Sequence, residues 1–309
     1  MVRALFHAIQ LPQANPPWNS LHLKIYYPAA STGSQAERMT GTFLAERTRA
    51  PFGVLIFFNG INVNIESYHW LAIKLTEAGW VTVLYTHIAE TLPGNIGISP
   101  GLDLTRIRPE TYGHGPTCPA IAPILNLLAQ TQQQETHPLY GALNLNHIVL
   151  GGHSAGGTVA LQNAQHFPQV QSAFAYAGHT VASSLLGFPE RTALPIGPKP
   201  VLLLQGDQDG VIAASRERYT TSGDDFDPVA HTFAQAVSPL PGSPSYHVIL
   251  RGANHFSIAH PLDRSTARAF LDLPTTRPAA QIRAQIFRLI LAFLGGQPLQ
   301  GKHIVIRRK

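Results

Sequence analysis

Cysteine is almost absent from this 309-residue chain: Cys118 stands alone, so no internal disulfide can staple the fold. A reducing, cytoplasmic setting is the expectation that follows. Charge is scarce as well. Lys, Arg, Asp and Glu make up 13% of the residues, where soluble domains average about 25%, which argues against a disordered or tail-dominated protein. No apolar run approaches the roughly 18 residues that a membrane-spanning helix needs. The N-terminal segment lacks an apolar stretch followed by a small-residue cleavage site, so no secretory signal is read there. Metal-ligand motifs are missing too: there is no His-Glu-x-x-His and no Cys-x-x-Cys, and His137, His147, His153 and His166 are not grouped at ligand spacing. No metal and no cofactor is expected.

The net charge of +5 could point to nucleic acid, but Lys302, Arg307, Arg308 and Lys309 supply four of the five charges. The body of the chain has no basic face with interleaved aromatics, so no nucleic-acid partner is expected and the tail at 302–309 reads as a solvated terminus.

What the chain has is apolar bulk in a telling order. Hydrophobic residues make up 44% of it, enough for a large core. Phe52–Phe58 and residues 80–85 are short, almost continuously apolar runs, and so is 147–150 with its flanks. Runs without alternation predict strands buried on both faces, as in a parallel sheet covered by helices. Between them, 66–78, 120–134 and 154–166 have helical spacing and end in Gly, Pro or polar clusters. Strand, helix and strand in repetition predict right-handed crossovers, hence an α/β fold with a mostly parallel central sheet and helices on both faces. Further strands are predicted at 172–177, 200–204 and Tyr246–Leu250, with a last amphipathic helix over Ala279–Leu294. An early alternating strand at 21–27 leads into a loop over 30–49. No composition break divides the chain, which predicts a single domain over 1–309. Two Gly- and Pro-rich excursions, 93–119 and 220–244, interrupt the alternation and are candidate pocket walls, since loops at the carboxyl ends of such strands lie over the ligand crevice.

The chemistry is concentrated in residues 147–160, which read His-Ile-Val-Leu-Gly-Gly-His-Ser-Ala-Gly-Gly-Thr-Val-Ala. An apolar strand runs into Gly152-His153-Ser154-Ala155-Gly156 and then a helix, the context of a nucleophile elbow. The turn is so tight that a Cβ two residues before or after the serine would collide with backbone, and it strains Ser154 so that Oγ stands above the sheet. The helix behind it aims N-terminal N–H groups at developing negative charge. A serine hydroxyl needs a base that a third group orients. Both follow in the order Ser, Asp, His: the strand at 200–204 leads into Gln205-Gly206-Asp207-Gln208-Asp209-Gly210, and Tyr246–Leu250 leads into Arg251-Gly252-Ala253-Asn254-His255-Phe256. His255 is the candidate base. Asp207 and Asp209 are both candidates for the acid, Asp209 lying further round the turn towards the histidine loop. A tetrahedral oxyanion also needs two N–H donors. Ala155, directly after the nucleophile, is one candidate; Ile61, in the turn Asn59-Gly60-Ile61-Asn62 after the Phe52–Phe58 strand, is the other, with Gly60 allowing the sharp bend. Gly178-His179 reads as a structural turn. Asp224, Asp225 and Asp227 lack the full calcium-loop pattern and read as solvated.

With Ile25-Tyr26-Tyr27-Pro28, Asn59-Gly60-Ile61, Leu71-Ala72, Glu77-Ala78-Gly79-Trp80-Val81, the Gly-His-Ser-Ala-Gly elbow, the Gly-Asp-Gln-Asp loop and Gly-Ala-Asn-His-Phe in view, the chain resembles the α/β-hydrolases. The resemblance spans residues 25–256 and is to the branch of dienelactone hydrolases, cutinase-like polyester hydrolases, platelet-activating-factor acetylhydrolases and plant chlorophyllases. It implies the α/β-hydrolase fold and a serine hydrolase cleaving a small-molecule carboxylic ester through an acyl-enzyme. It further implies that the acid is the one three residues after the glycine, Asp209, leaving Asp207 as a turn residue bonding its own backbone. Alternatives within the resemblance are a thioesterase, a lipase or a chlorophyllase-like variant, and, since fold does not guarantee chemistry, a catalytically silent small-molecule binding protein. The chain departs from the branch in three places. Asn59 stands where many relatives have histidine, Ala155 stands where chlorophyllases have arginine, and the disulfide usual in secreted polyester hydrolases is excluded.

Overall fold

Six of the predicted apolar strands lie side by side at the centre of one sheet in the computed structural model, which describes residues 1–92, 94–222, 225–237 and 244–309. The strands in chain order are β1 (Val2–Gln10), β2 (Ser20–Pro28), β3 (Phe52–Phe58), β4 (Trp80–Leu92), β5 (Asn95–Ile98), β6 (Leu143–His153), β7 (Val170–Tyr176), β8 (Val201–Gly206), β9 (Tyr246–Leu250) and β10 (Ile304–Arg308). Their spatial order is β1-β2-β4-β3-β6-β7-β8-β9-β10, with β5 paired to β4. The ladders from β4 through β9 are parallel, and those at the two margins are antiparallel. The helices are α1 (Gln35–Thr40), α2 (His69–Glu77), α3 (Ile121–Gln133), α4 (Ala155–Asn163), α5 (Gly210–Ala213), α6 (Pro228–Gln235) and α7 (Ala279–Leu294).

The sequence of β3 explains the two layers. Successive side chains of a strand leave on opposite faces. Val54, Ile56 and Phe58 pack in one apolar layer with Ile121, Ile124 and Leu128 of α3, Val159 and Leu161 of α4, and Val229 and Phe233 of α6. Leu55 and Phe57 pack in the other with Leu71 and Leu75 of α2 and Ile282, Ile286 and Leu289 of α7. Each such side chain fully buried stabilises the fold by about 1.5–3 kcal/mol, which is why an uninterrupted apolar run settles here and nowhere nearer solvent.

Strand order reverses at β3, which has β4 on one side and β6 on the other. Loops leaving the carboxyl ends of β3 and β6 are therefore neighbours, with Phe58 paired to Gly152, and this switch point is where α/β sheets open a crevice. Leu250 of β9 pairs with Gly206 of β8, so the two loops that follow them also emerge together.

Several segments differ from the sequence expectation. The chain begins with an edge strand, β1, paired along its length with β2. The expected loop at 30–49 contains α1, whose N-cap Ser34 accepts from Glu37 N–H. β4 runs beyond residue 85 and folds back through β5, so the excursion at 93–119 begins as a hairpin. Its later part packs Ile107 against Ala182 and Leu194, and Tyr112 donates to the Pro195 carbonyl at 2.7 Å. The excursion at 220–244 includes α6, started by Asp227, which accepts from Val229 and Ala230 N–H; residues 93, 223, 224 and 238–243, Asp224 among them, lie outside the described residues. The basic tail is not a free terminus: β10 lies antiparallel on β9, because Ile304-Val305-Ile306 carries strand propensity that the surrounding charges obscure in the sequence. Among the described residues no helix is long and apolar enough to cross a membrane.

Candidate active site

Ser154 follows β6 directly and has φ 54° and ψ −126°. A side-chain-bearing residue held there is strained by about 1–3 kcal/mol and stays only if its surroundings insist. They do. Ser154 N–H donates to the Tyr176 carbonyl at 2.9 Å and its own carbonyl accepts from Thr158 N–H at 3.1 Å. A Cβ at Gly152 would lie well inside contact with the backbone of Gly156 and Gly157, and one at Gly156 would strike the carbonyls of Phe58 and Asn59. Both glycines are thus required by close approach. The serine itself is half-exposed at the start of α4.

His255 is buried, and its Nδ1 lies 2.8 Å from Asp209 Oδ2, the two side chains being 3% and 7% exposed. The other Asp209 oxygen caps α5 by accepting from Ile212 N–H at 2.8 Å. Asp207 lies on the exposed side of the turn and does not bond its own backbone. Instead it accepts from Gly252 N–H at 2.7 Å, tying the acid-bearing loop to the histidine loop. The structure therefore brings Asp209, and not Asp207, to the histidine.

In the turn after β3, three N–H groups have different fates. Gly60 donates to Tyr68 Oη at 3.1 Å and Asn62 donates to the Ile98 carbonyl at 2.8 Å. Ile61 N–H has no protein acceptor among the described residues, nor has Ala155 N–H at the first position of α4. The bend itself is made by Asn62 at φ 58°. Gly60 is needed for another reason: a Cβ there would sit 3.0 Å from Nδ1 of His153. Asn62 also accepts from Ile98 N–H at 3.0 Å, which docks the β4–β5 hairpin on this turn.

Gly178-His179 follows β7 and lies beside the serine. A Cβ on Gly178 would come within 2.9 Å of the Ser154 carbonyl. His179 Nδ1 accepts from Val181 N–H, and burial pulls this histidine down to about 4. Asp225 pairs with Arg216 at 2.5 Å and Asp227 caps α6. Among the described residues no cluster of three or more His, Cys, Asp or Glu is arranged to hold a metal.

Two residues at this site carry no sequence signal, Tyr68 and Asp272. Asp272 accepts from Gly210 N–H at 3.1 Å, His255 N–H at 3.2 Å and Phe256 N–H at 3.1 Å, so one carboxylate clamps the start of α5 to the backbone of the histidine. Burial raises its carboxyl above the usual aspartate range. Asp272→Asn must turn an amide N–H towards one of these donors, and an unsatisfied buried donor costs about 1–3 kcal/mol. The expected result is a melting temperature lower by several degrees in calorimetry, with the sheet retained by circular dichroism.

No family model matches the chain and no curated protein matches it in sequence. Among solved structures it is similar to a ferulic acid esterase from Streptomyces cinnamoneus, at 15% sequence identity and a TM-score of 0.58, the match covering 99% of this chain and 94% of that one. A likeness at that identity speaks to architecture. Together with the strand order and the two helical layers, it establishes that this chain has the α/β-hydrolase fold.

Proposed function

We propose that this chain is a single-domain serine hydrolase that cleaves carboxylic esters through an acyl-enzyme on Ser154, with His255 as base, Asp209 orienting it, and the N–H groups of Ile61 and Ala155 binding the oxyanion. The observation that carries the reading is the buried 2.8 Å contact between His255 Nδ1 and Asp209 Oδ2. Its imidazole has its centroid 4.9 Å from that of His153, the residue before the strained serine. The structural neighbour is an esterase, which supports ester hydrolysis as the reaction class.

The chemistry follows from the donors and acceptors. Asp209 accepts a hydrogen bond from the Nδ1–H of His255, which fixes the ring proton on Nδ1 and leaves the Nε2 lone pair free. As Ser154 Oγ bonds to the ester carbonyl carbon, its proton passes to Nε2 and the carbonyl electron pair moves onto oxygen. Two N–H donors waiting at that oxygen cost no reorganisation at the moment of reaction. Collapse of the tetrahedral species breaks the bond to the alcohol, which leaves with the Nε2 proton. Water then repeats the sequence on the acyl-serine and frees the acid. A cytoplasmic setting belongs to the same proposal, supported by the lone, buried Cys118.

The test is direct. The purified protein should be labelled stoichiometrically at Ser154 by a fluorophosphonate, and it should turn over p-nitrophenyl esters, with the chain-length series from acetate to laurate sizing the acyl pocket. Failure of both labelling and turnover would leave a small-molecule binding protein on this fold.

A further inference from the structure

We propose that Tyr68 and His153 form a buried positioning relay that ties the oxyanion turn, the nucleophile elbow and the base loop together, and that the relay governs the chemical steps more than substrate binding. It rests on the serine-hydrolase reading above and goes beyond it, since it assigns a role to two side chains outside the proposed triad and oxyanion donors.

The relay has four members. Gly60 N–H lies 3.1 Å from Tyr68 Oη, Tyr68 Oη lies 2.8 Å from His153 Nδ1, and His153 Nε2 lies 3.0 Å from the His255 carbonyl oxygen. Its direction is set by its ends, because an amide N–H can only donate and a carbonyl can only accept. Nε2 of His153 must therefore carry the ring proton. Nδ1, left with its lone pair, accepts from the tyrosine hydroxyl, and the tyrosine oxygen accepts from Gly60. Every member is satisfied in one polarity, and reversing any link would strand a buried group. A cationic His153 would donate from both nitrogens and leave the tyrosine proton without an acceptor. Burial opposes that form and holds His153 well below the ordinary histidine range.

Its ends fall at telling places. Gly60 precedes Ile61, His153 precedes Ser154, and the accepting carbonyl belongs to His255 itself. β6 and β9 are not neighbours in the sheet, since β7 and β8 lie between them, so the imidazole of His153 bridges loops that no ladder joins. With the relay counted, His255 is held at three points: its N–H by Asp272, its carbonyl by His153 and its Nδ1 by Asp209. The rings leave little slack, with Tyr68 against Phe57 at 4.8 Å and His153 against Phe256 at 5.7 Å between centroids. An apolar pair could fill this volume. A polar pair with one allowed direction adds a defined orientation of all three loops, and small misplacements of reacting groups are costly, about a hundredfold for 1 Å.

Tyr68→Phe removes one oxygen from the relay and keeps the ring. Its kcat per active site, counted by fluorophosphonate titration, should fall about tenfold to a hundredfold, with KM for p-nitrophenyl acetate changed by less than about threefold. A merely structural role would instead lower the number of titratable sites and leave kcat per site intact. Imidazole ¹⁵N spectra give a second reading that needs no variant. His153 in the wild-type protein should be neutral with its proton on Nε2 throughout the pH range of activity, and Tyr68→Phe should keep that tautomer, because the His255 carbonyl still accepts from Nε2, while the Nδ1 resonance shifts on losing its donor. Unchanged kcat per site in Tyr68→Phe, a loss carried wholly by KM, or a wild-type His153 protonated on Nδ1 would each overturn the relay alone. A wild-type protein that neither labels nor hydrolyses any ester would overturn the serine-hydrolase reading, and the relay's catalytic role with it.

Discussion

Ser154→Ala is expected to lose ester turnover by a factor of about 10⁴–10⁶ and all fluorophosphonate labelling, while the melting temperature moves by no more than a degree or two. The size follows from the unity of the proposed triad: once the nucleophile is gone, base and acid have nothing to activate, and only the oxyanion donors and binding remain to assist water. The stability forecast rests on the elbow. Alanine and serine share a Cβ, so the strain at φ 54° is the same in both, and the backbone bonds to Tyr176 and Thr158 do not involve the hydroxyl. Hydrolysis of p-nitrophenyl acetate, labelling and calorimetry on one preparation check all three points. Retention of more than about one part in a hundred of the wild-type rate would remove Ser154 from the mechanism.

A pair of amide substitutions separates the two aspartates of the acid loop. Asp209→Asn should cost about 10⁴ in kcat with little change in stability, because asparagine serves as well as aspartate at a helix N-cap and can keep the bond to Ile212 N–H. Its carbonyl committed there, the amide must present N–H to His255 Nδ1. The imidazole then accepts at Nδ1 and carries its proton on Nε2, where it cannot take one from serine. Asp207→Asn keeps an oxygen for Gly252 N–H and faces no such conflict, so kcat should stay within about threefold. Steady-state kinetics and thermal melts of the two variants decide the matter, and a deep loss in Asp207→Asn with a mild one in Asp209→Asn would exchange their roles.

Much of this architecture could be read from the chain because apolar runs and their punctuation coincide. Phe52–Phe58, Tyr246–Leu250 and Ala279–Leu294 begin and end where expected, each bounded by Gly, Pro or charge. Ser154 and His255 were legible because each follows such a strand within a turn, which confines a side chain to the carboxyl edge of the sheet. Other parts depend on tertiary proximity. Asp272 reaches His255 across 17 positions from a segment with no periodicity, and Tyr68 meets His153 across 85. Neither spacing leaves a local trace. Gly60 shows a subtler case: it reads as a residue for a bend, yet the bend is at Asn62 and the glycine makes room for an imidazole. β1 leaves no clear trace in the sequence because it is a margin strand with no fully buried residue, so its pattern resembles neither a buried run nor a clean alternation.

The antiparallel strands at the two margins of the sheet bear on how copies of this protein behave in a crowded solution. An uncovered strand offers a row of amides and carbonyls to any other extended chain. Here β1 brings Arg3 to one margin, and β10 brings Arg307 and Arg308 to the other. Two molecules approaching like margin to like margin, or one margin to the other, meet the same sign of charge either way. Like charge at both margins opposes open-ended stacking of sheets in either register, a consequence of the tail at 302–309 being a paired strand of the sheet.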